Sequence, residues 1–234
     1  MTTSLSSSAN GRIDRLLTGV FYIGLAITGG LGFMMIRPQL FTPGDPAQTL
    51  ANLLERTDLA RTGIALEMGL ATFQALASVW FAKLFRNTDP FAAGTLALFG
   101  MVNSIVVLAS SALMGAALDV ALAPTGFDAS TSHLLMLISG RLWQVGNVFF
   151  GLWLIPMGWL VWKAEFGRGH RVFGWILVLG GVGYVVNAFV PVLAPNAGIW
   201  IAALPILATV GEFWMIGLLL WTGIRRPANS AKAA

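Results

Sequence analysis

Six long apolar runs alternate with short polar breaks along the chain, and each run is long enough for a membrane helix. They predict spans at about 16–36, 59–85, 91–113, 140–163, 172–193 and 199–224. The polar positions inside the runs are few and are not scattered. In the fourth run Arg141, Gln144, Asn147 and Gly151 recur at helical spacing and share one side of a helix. The remaining surface, including Leu142, Val145, Phe149 and Leu152, suits lipid or apolar neighbours. An arginine at the centre of a lone helix costs about 2.5–3.5 kcal/mol on insertion scales, so such a residue faces an interior or a wet cavity and finds a partner. The competing expectation is that Arg141 lies near a membrane surface and snorkels outward.

The breaks carry their own signals. After the first run, Pro43, Gly44 and Pro46 predict a turn, and Asp45 is placed to cap a short helix over 46–56. Leu50, Leu53 and Leu54 give that helix an apolar stripe too small to cross the bilayer, so it is expected at the interface. The third span is followed by a longer connection, 115–132, with Pro124 and Gly126 as breakers. A short helix over 132–138 then leads into the fourth span, and His133 reads as a loop residue. The fold expected is an all-α membrane protein, a six-transmembrane-helix bundle with a short interfacial helix after the first span. It forms one domain over 1–234, with a polar tail at 1–15.

Composition agrees. Hydrophobic residues make up 56% of the chain and charged residues 10%, against about 25% charged in soluble domains. Mean hydropathy is +0.77. The first apolar run exceeds the roughly 7–15 residue core of a cleaved signal, so it reads as a retained span. The net charge is +4, but the basic residues flank spans, a pattern of topology and not of nucleic-acid binding. Ten of the 14 lysines and arginines fall on one side of a six-span arrangement: Arg12, Arg15, Lys83, Arg86, Lys163, Arg168, Arg171, Arg225, Arg226 and Lys232. Arg37, Arg56, Arg61 and Arg141 fall on the other. The positive-inside rule then places both termini in the cytoplasm. Trp80, Trp159, Trp162 and Trp221 sit near the basic ends, as an aromatic belt does.

Reactive chemistry is thin. With no cysteine there are no disulfides, thiolate nucleophiles or iron–sulfur ligands. His133 and His170 fall on opposite sides and cannot share a metal or haem. No HExxH, P-loop or GxSxG motif is present. The GGVGY of the fifth run superficially resembles a nucleotide loop, but small residues in an apolar span serve helix packing. No lysine lies mid-span, which argues against a retinal Schiff base. No cofactor, metal or catalytic set is expected.

What remains is a candidate polar pocket of Arg61, Glu67, Asn103, Arg141, Gln144, Asn147, Asn187 and Glu212. Under this topology most of them fall in the outer half, with Asn103, Asn147 and Glu212 nearer the midplane. Glu67 and Glu212 are the acids well inside spans, and Arg141 the deepest base, so Glu67 is expected to pair with Arg141. Such groups act either as polar glue between helices or as a ligand or ion site.

The segments GDPAQTLANLLER, FFGLWLIPMGWLVWKAEF, GWILVLGGVGYVVNAFVP and VGEFWMIGLLLW resemble, in order and spacing, a bacterial membrane family, domain of unknown function 4386. The matching positions include Gly44, Asp45, Asn52, Gly151, Trp153, Pro156, Gly158, Gly211 and Glu212. The loop KAEFGRGHR departs from the serine-and-proline turn common in the family. The resemblance implies a six-span membrane protein and no particular activity. Three functions stand open. The first is a non-enzymatic pocket, open to the outside, for a small apolar or lipid-like ligand in transport or sensing. The second is an accessory subunit with a membrane protein partner. The third is a lipid-modifying enzyme using Glu67 or Glu212. Membrane lipids are the expected surroundings in each case.

Overall fold

Helix α1 (Ala9–Gly29) opens the chain and passes into a π-helical segment (Gly30–Ile36) and the short α2 (Arg37–Leu40). There follow α3 (Pro46–Glu55), α4 (Thr57–Phe85), α5 (Pro90–Leu122), α6 (Ala129–Lys163), α7 (Arg168–Leu193) and α8 (Leu204–Ile224). The structure is a computed structural model, and it describes residues 9–123, 128–164, 168–194 and 204–224. The expected breakers at 124–126, the start of the sixth span at 199–203 and the basic residues Arg225, Arg226 and Lys232 lie outside those residues. Six stretches are long and apolar enough to cross a membrane: Gly11–Leu40, Thr57–Phe85, Pro90–Leu122, Ala129–Lys163, Gly169–Leu193 and Ile206–Ile224. The protein is an all-α, six-span membrane bundle.

Local chemistry explains most boundaries. Gly44 takes a positive φ of 75° in the turn before α3. The Asp45 side chain accepts from the Gln48 N–H at 2.9 Å, and Pro46 fills the first helical position, where no N–H is needed. The first span widens into a π-helix where glycines cluster, and the Arg37 N–H reaches back to the Gly32 carbonyl. Pro38 has no N–H to give to the Met34 carbonyl, so the regular helical ladder cannot continue through it.

Three boundaries differ from the sequence reading. Helix α1 begins at Ala9, inside the stretch expected as a polar tail. Helix α5 does not end near 113 but runs on to Leu122. Met114, Ala117 and Leu118 recur at helical spacing and pack with Ile36, Leu40, Leu53, Ala60 and Met136. That burial outweighs the roughly 1 kcal/mol that Gly115 costs in a helix. The stretch 132–138 is not a separate helix but the first turns of α6, so His133 is helical. Asp128 Oδ1 accepts from the Thr131 N–H at 3.0 Å and starts the helix there. At 35 residues and about 1.5 Å per residue, α6 is longer than the roughly 30 Å of hydrocarbon, so it tilts or projects beyond it.

The residues fall into two compact units. One comprises Gly24–Gln74 and Met101–Asn147. Its core joins the end of the first span, α3, the start of α4, the end of α5 and the start of α6. Leu53, fully buried, anchors α3 in it. Thr49 Oγ1 of α3 lies 3.0 Å from His133 Nδ1, and Phe41 packs on the same imidazole at 4.9 Å.

The other unit comprises Met1–Ile23, Ala75–Gly100 and Val148–Ala234. Its centre is aromatic: Tyr22 meets Phe81 and Trp153 edge-on at 5.5 and 5.2 Å. Ion pairs join its helix ends, Asp14 with Lys83 at 2.7 Å and Asp89 with Lys163 at 2.8 Å. Asp89 also accepts from the Ala92 N–H and the Trp159 indole. The Lys163 ammonium, then these two donors, hold its carboxyl down at about 2. The glycines of GGVGY pack as expected: Gly180 faces Ala208 of α8, and Gly181 faces Gly151 of α6.

Candidate functional site

Among the described residues, a buried polar cluster is built on the junction between the π-helical segment and α2. Arg37 stands there with its side chain 9% exposed. Its Nε and Nη2 donate to Glu67 Oε1 of α4 at 3.1 and 2.7 Å, and the Glu67 side chain is 1% exposed. Arg37 Nη2 also lies 3.0 Å from Ser110 Oγ of α5 and 2.8 Å from Ser139 Oγ of α6. The hydroxyl protons have places to go: Ser139 donates to the Ser110 carbonyl at 2.8 Å, and Ser110 to Glu67 Oε2 at 3.2 Å. A charge pair removed from water survives only when its remaining lone pairs and protons are satisfied in this way.

One edge of the guanidinium stays open. Arg37 Nη1 donates to no group among the described residues and is not among the buried atoms left without a partner. Gly140 leaves room beside it: a Cβ there would meet Nη1 at 3.8 Å and nothing nearer. The ring of Phe33 lies 5.9 Å from the guanidinium carbon and stacks on Trp143 at 4.2 Å. A cation over one aromatic ring, with one free nitrogen, is equipped to take an anionic oxygen.

The sequence-predicted residues divide between the two units. Glu67 pairs with Arg37, which overturns the expected pairing with Arg141. Arg141 is exposed and donates from Nη1 to Gln144 Oε1 at 2.8 Å. Helix phase is the reason: Leu137, Arg141 and Val145 form an exposed stripe of α6, while Ser139 and Gly146 turn inward. Arg61 is also exposed, 3.6 Å from Asp58. Asn103 is buried and donates to Gln74 Oε1 at 2.7 Å. Asn147 is half-buried.

Asn187 and Glu212 belong to the other unit, and both are half-buried. Glu212 Oε1 accepts from the Tyr22 hydroxyl at 3.0 Å, and Met157 Sδ lies 3.8 Å from the same hydroxyl. Among the described residues no cation pairs with Glu212.

The sequence reading missed Arg37, Ser110 and Ser139 as site residues. The apolar run ended at Ile36, so Arg37 was assigned to the following loop. The signal that could have found it is the pair Arg37–Pro38, which ends a helix while Glu67 still needs a cation.

Neither the curated proteins nor the solved structures contain a match to the chain. The family described as domain of unknown function 4386 matches over residues 17–223, which takes in every residue of both clusters. The chain belongs to the family domain of unknown function 4386.

Proposed function

We propose that this multi-pass protein binds a small, lipid-like ligand with an anionic headgroup at Arg37, as a component of transport or sensing. The observation that carries the reading is the open Nη1 edge of a guanidinium otherwise fixed by Glu67, Ser110 and Ser139. The carboxylate and serines fix the cation, and the glycine at 140 keeps its free edge clear. Melting of the purified protein in mild detergent tests this. Short-chain phosphatidylglycerol should raise the melting temperature more than the matching phosphatidylcholine. Gly140→Leu should abolish the difference and leave the ligand-free melting temperature near that of wild type. An equal response to both headgroups, or a difference that survives in Gly140→Leu, would overturn the reading.

The same proposal places the chain in a bacterial cytoplasmic membrane as one domain, with both termini cytoplasmic and α3 at the outer interface. It is supported by the ten-to-four division of lysine and arginine and by Gln48, which is exposed on α3. A cytoplasmic reporter fused after Ala234 should be active. A cysteine at Gln48 should react with an impermeant thiol reagent from outside. A reporter active only in the periplasm, or a protected Gln48 cysteine, would reverse the orientation.

A further inference from the structure

Glu212, half-buried within a span, is an acid that the Arg37 cluster leaves unused. It sits in α8, within the stretch Ile206–Ile224 that is long and apolar enough to cross a membrane. Glu67 holds a guanidinium and a serine hydroxyl, whereas Glu212 holds one phenol and no cation among the described residues. Intramembrane acids without a fixed countercharge are the kind that serve proton relays. The groups around Glu212 are few. Tyr22 of α1 hydrogen-bonds it, Tyr184 of α7 is near enough to sense its charge, and α6 offers Met157, which does not titrate.

The geometry at Tyr22 accommodates both forms of the carboxyl. A phenol has one proton to give and lone pairs to accept with. Two acceptors stand within its reach, Glu212 Oε1 at 3.0 Å and Met157 Sδ at 3.8 Å. With Glu212 ionised, the Tyr22 O–H points to the carboxylate. When the carboxylate takes a proton, the new carboxyl O–H donates to the Tyr22 oxygen, and the Tyr22 O–H turns to the Met157 sulfur. One proton enters and forms the carboxyl O–H, no other covalent bond is made or broken, and each donor keeps an acceptor in both states. The ring of Tyr22 is meanwhile fixed by Phe81 and Trp153, so only its hydroxyl needs to turn.

We infer that Glu212 is a reversible proton-binding site and that Tyr22 is its switchable hydrogen-bond partner. This goes beyond the ligand reading at Arg37 and does not depend on it. Infrared difference spectroscopy between acid and alkaline buffers, on the full chain in lipid, tests it directly. Wild type should show a carboxylic-acid C=O band that appears on acidification. The band should vanish in Glu212→Gln and persist in Glu67→Gln. In Tyr22→Phe it should remain but shift in frequency, because the carboxyl loses its acceptor. Exposed acids such as Asp58 protonate too, so the readout is the high-frequency band of a carboxyl held away from water; its absence in wild type, or its survival in Glu212→Gln, would overturn the proton site. A band unmoved in Tyr22→Phe would remove Tyr22 from it.

Discussion

Glu67→Gln should lower the unfolding free energy in mild detergent by about 3–5 kcal/mol, the usual loss when one member of a buried pair is removed. The change leaves the Arg37 guanidinium charged and 9% exposed, with a neutral amide in place of its carboxylate. It also leaves a single amide oxygen where the carboxylate offered one oxygen to Arg37 and the other to the Ser110 hydroxyl. Arg37→Gln should cost a similar amount, since Glu67 is then stranded at 1% exposure. The double variant should lose clearly less than the sum, because each single change already destroys the same interaction. Arg141→Gln supplies the contrast. Its side chain is exposed and bonded to Gln144, so the expected change stays within about 0.5 kcal/mol. Denaturant titration of these four variants, and of the Glu67→Gln/Arg141→Gln double, decides the matter. Strictly additive losses for Arg37 and Glu67, or coupling between Glu67 and Arg141, would reject the observed pairing.

That contrast also shows where sequence reading succeeds and where it stops. Six spans and the Asp45-capped helix were legible because each rests on local signals: apolar length, a capping carboxylate, Pro46 at the first turn. Glu67 was legible as a buried acid in need of a cation. Its partner was not, because the choice depends on helix phase and on which of two arginines the fold carries inward. The polar face drawn through Arg141, Gln144 and Asn147 was a real helical face, but the tertiary packing buried the neighbouring one, through Ser139 and Gly146. A single serine in an apolar span carries almost no signal by itself, so Ser110 and Ser139 emerge only once α5 and α6 are packed. The end of α5 failed for a related reason. Gly115 looks like a breaker locally, yet Met114 and Ala117 are held in a core assembled from four other segments.

The second large effect should come from the glycines where α6 and α7 meet. Between α6 and α7 two glycine pairs face each other, Gly151 with Gly181 and Gly158 with Gly174, spaced seven residues apart on both helices. A Cβ at Gly181 would lie 2.7 Å from the Gly151 carbonyl oxygen, and one at Gly174 would lie 2.8 Å from that of Gly158. A Cβ at Gly158 would in turn meet the Gly174 carbonyl oxygen and crowd the Val178 amide at 2.9 Å. The obstructing atoms are backbone, so no rotamer change relieves them, and the helices must move apart. In lipid, helix association rests on this close van der Waals packing, because burial of apolar surface supplies little. Gly158→Ala should therefore cost about 1–3 kcal/mol, the range for overpacking a tight contact, and Gly158→Leu should separate α7 from α6 altogether. Helix propensity works in the opposite direction, since alanine is favoured over glycine by about 0.5–1 kcal/mol inside a helix. Gly115→Ala isolates that term, because nothing lies within 4 Å of the added methyl. It should raise the melting temperature, while the same substitution at Gly158 lowers it. Equal stabilisation by the two alanines would mean that α6 and α7 are not in backbone contact at Gly158.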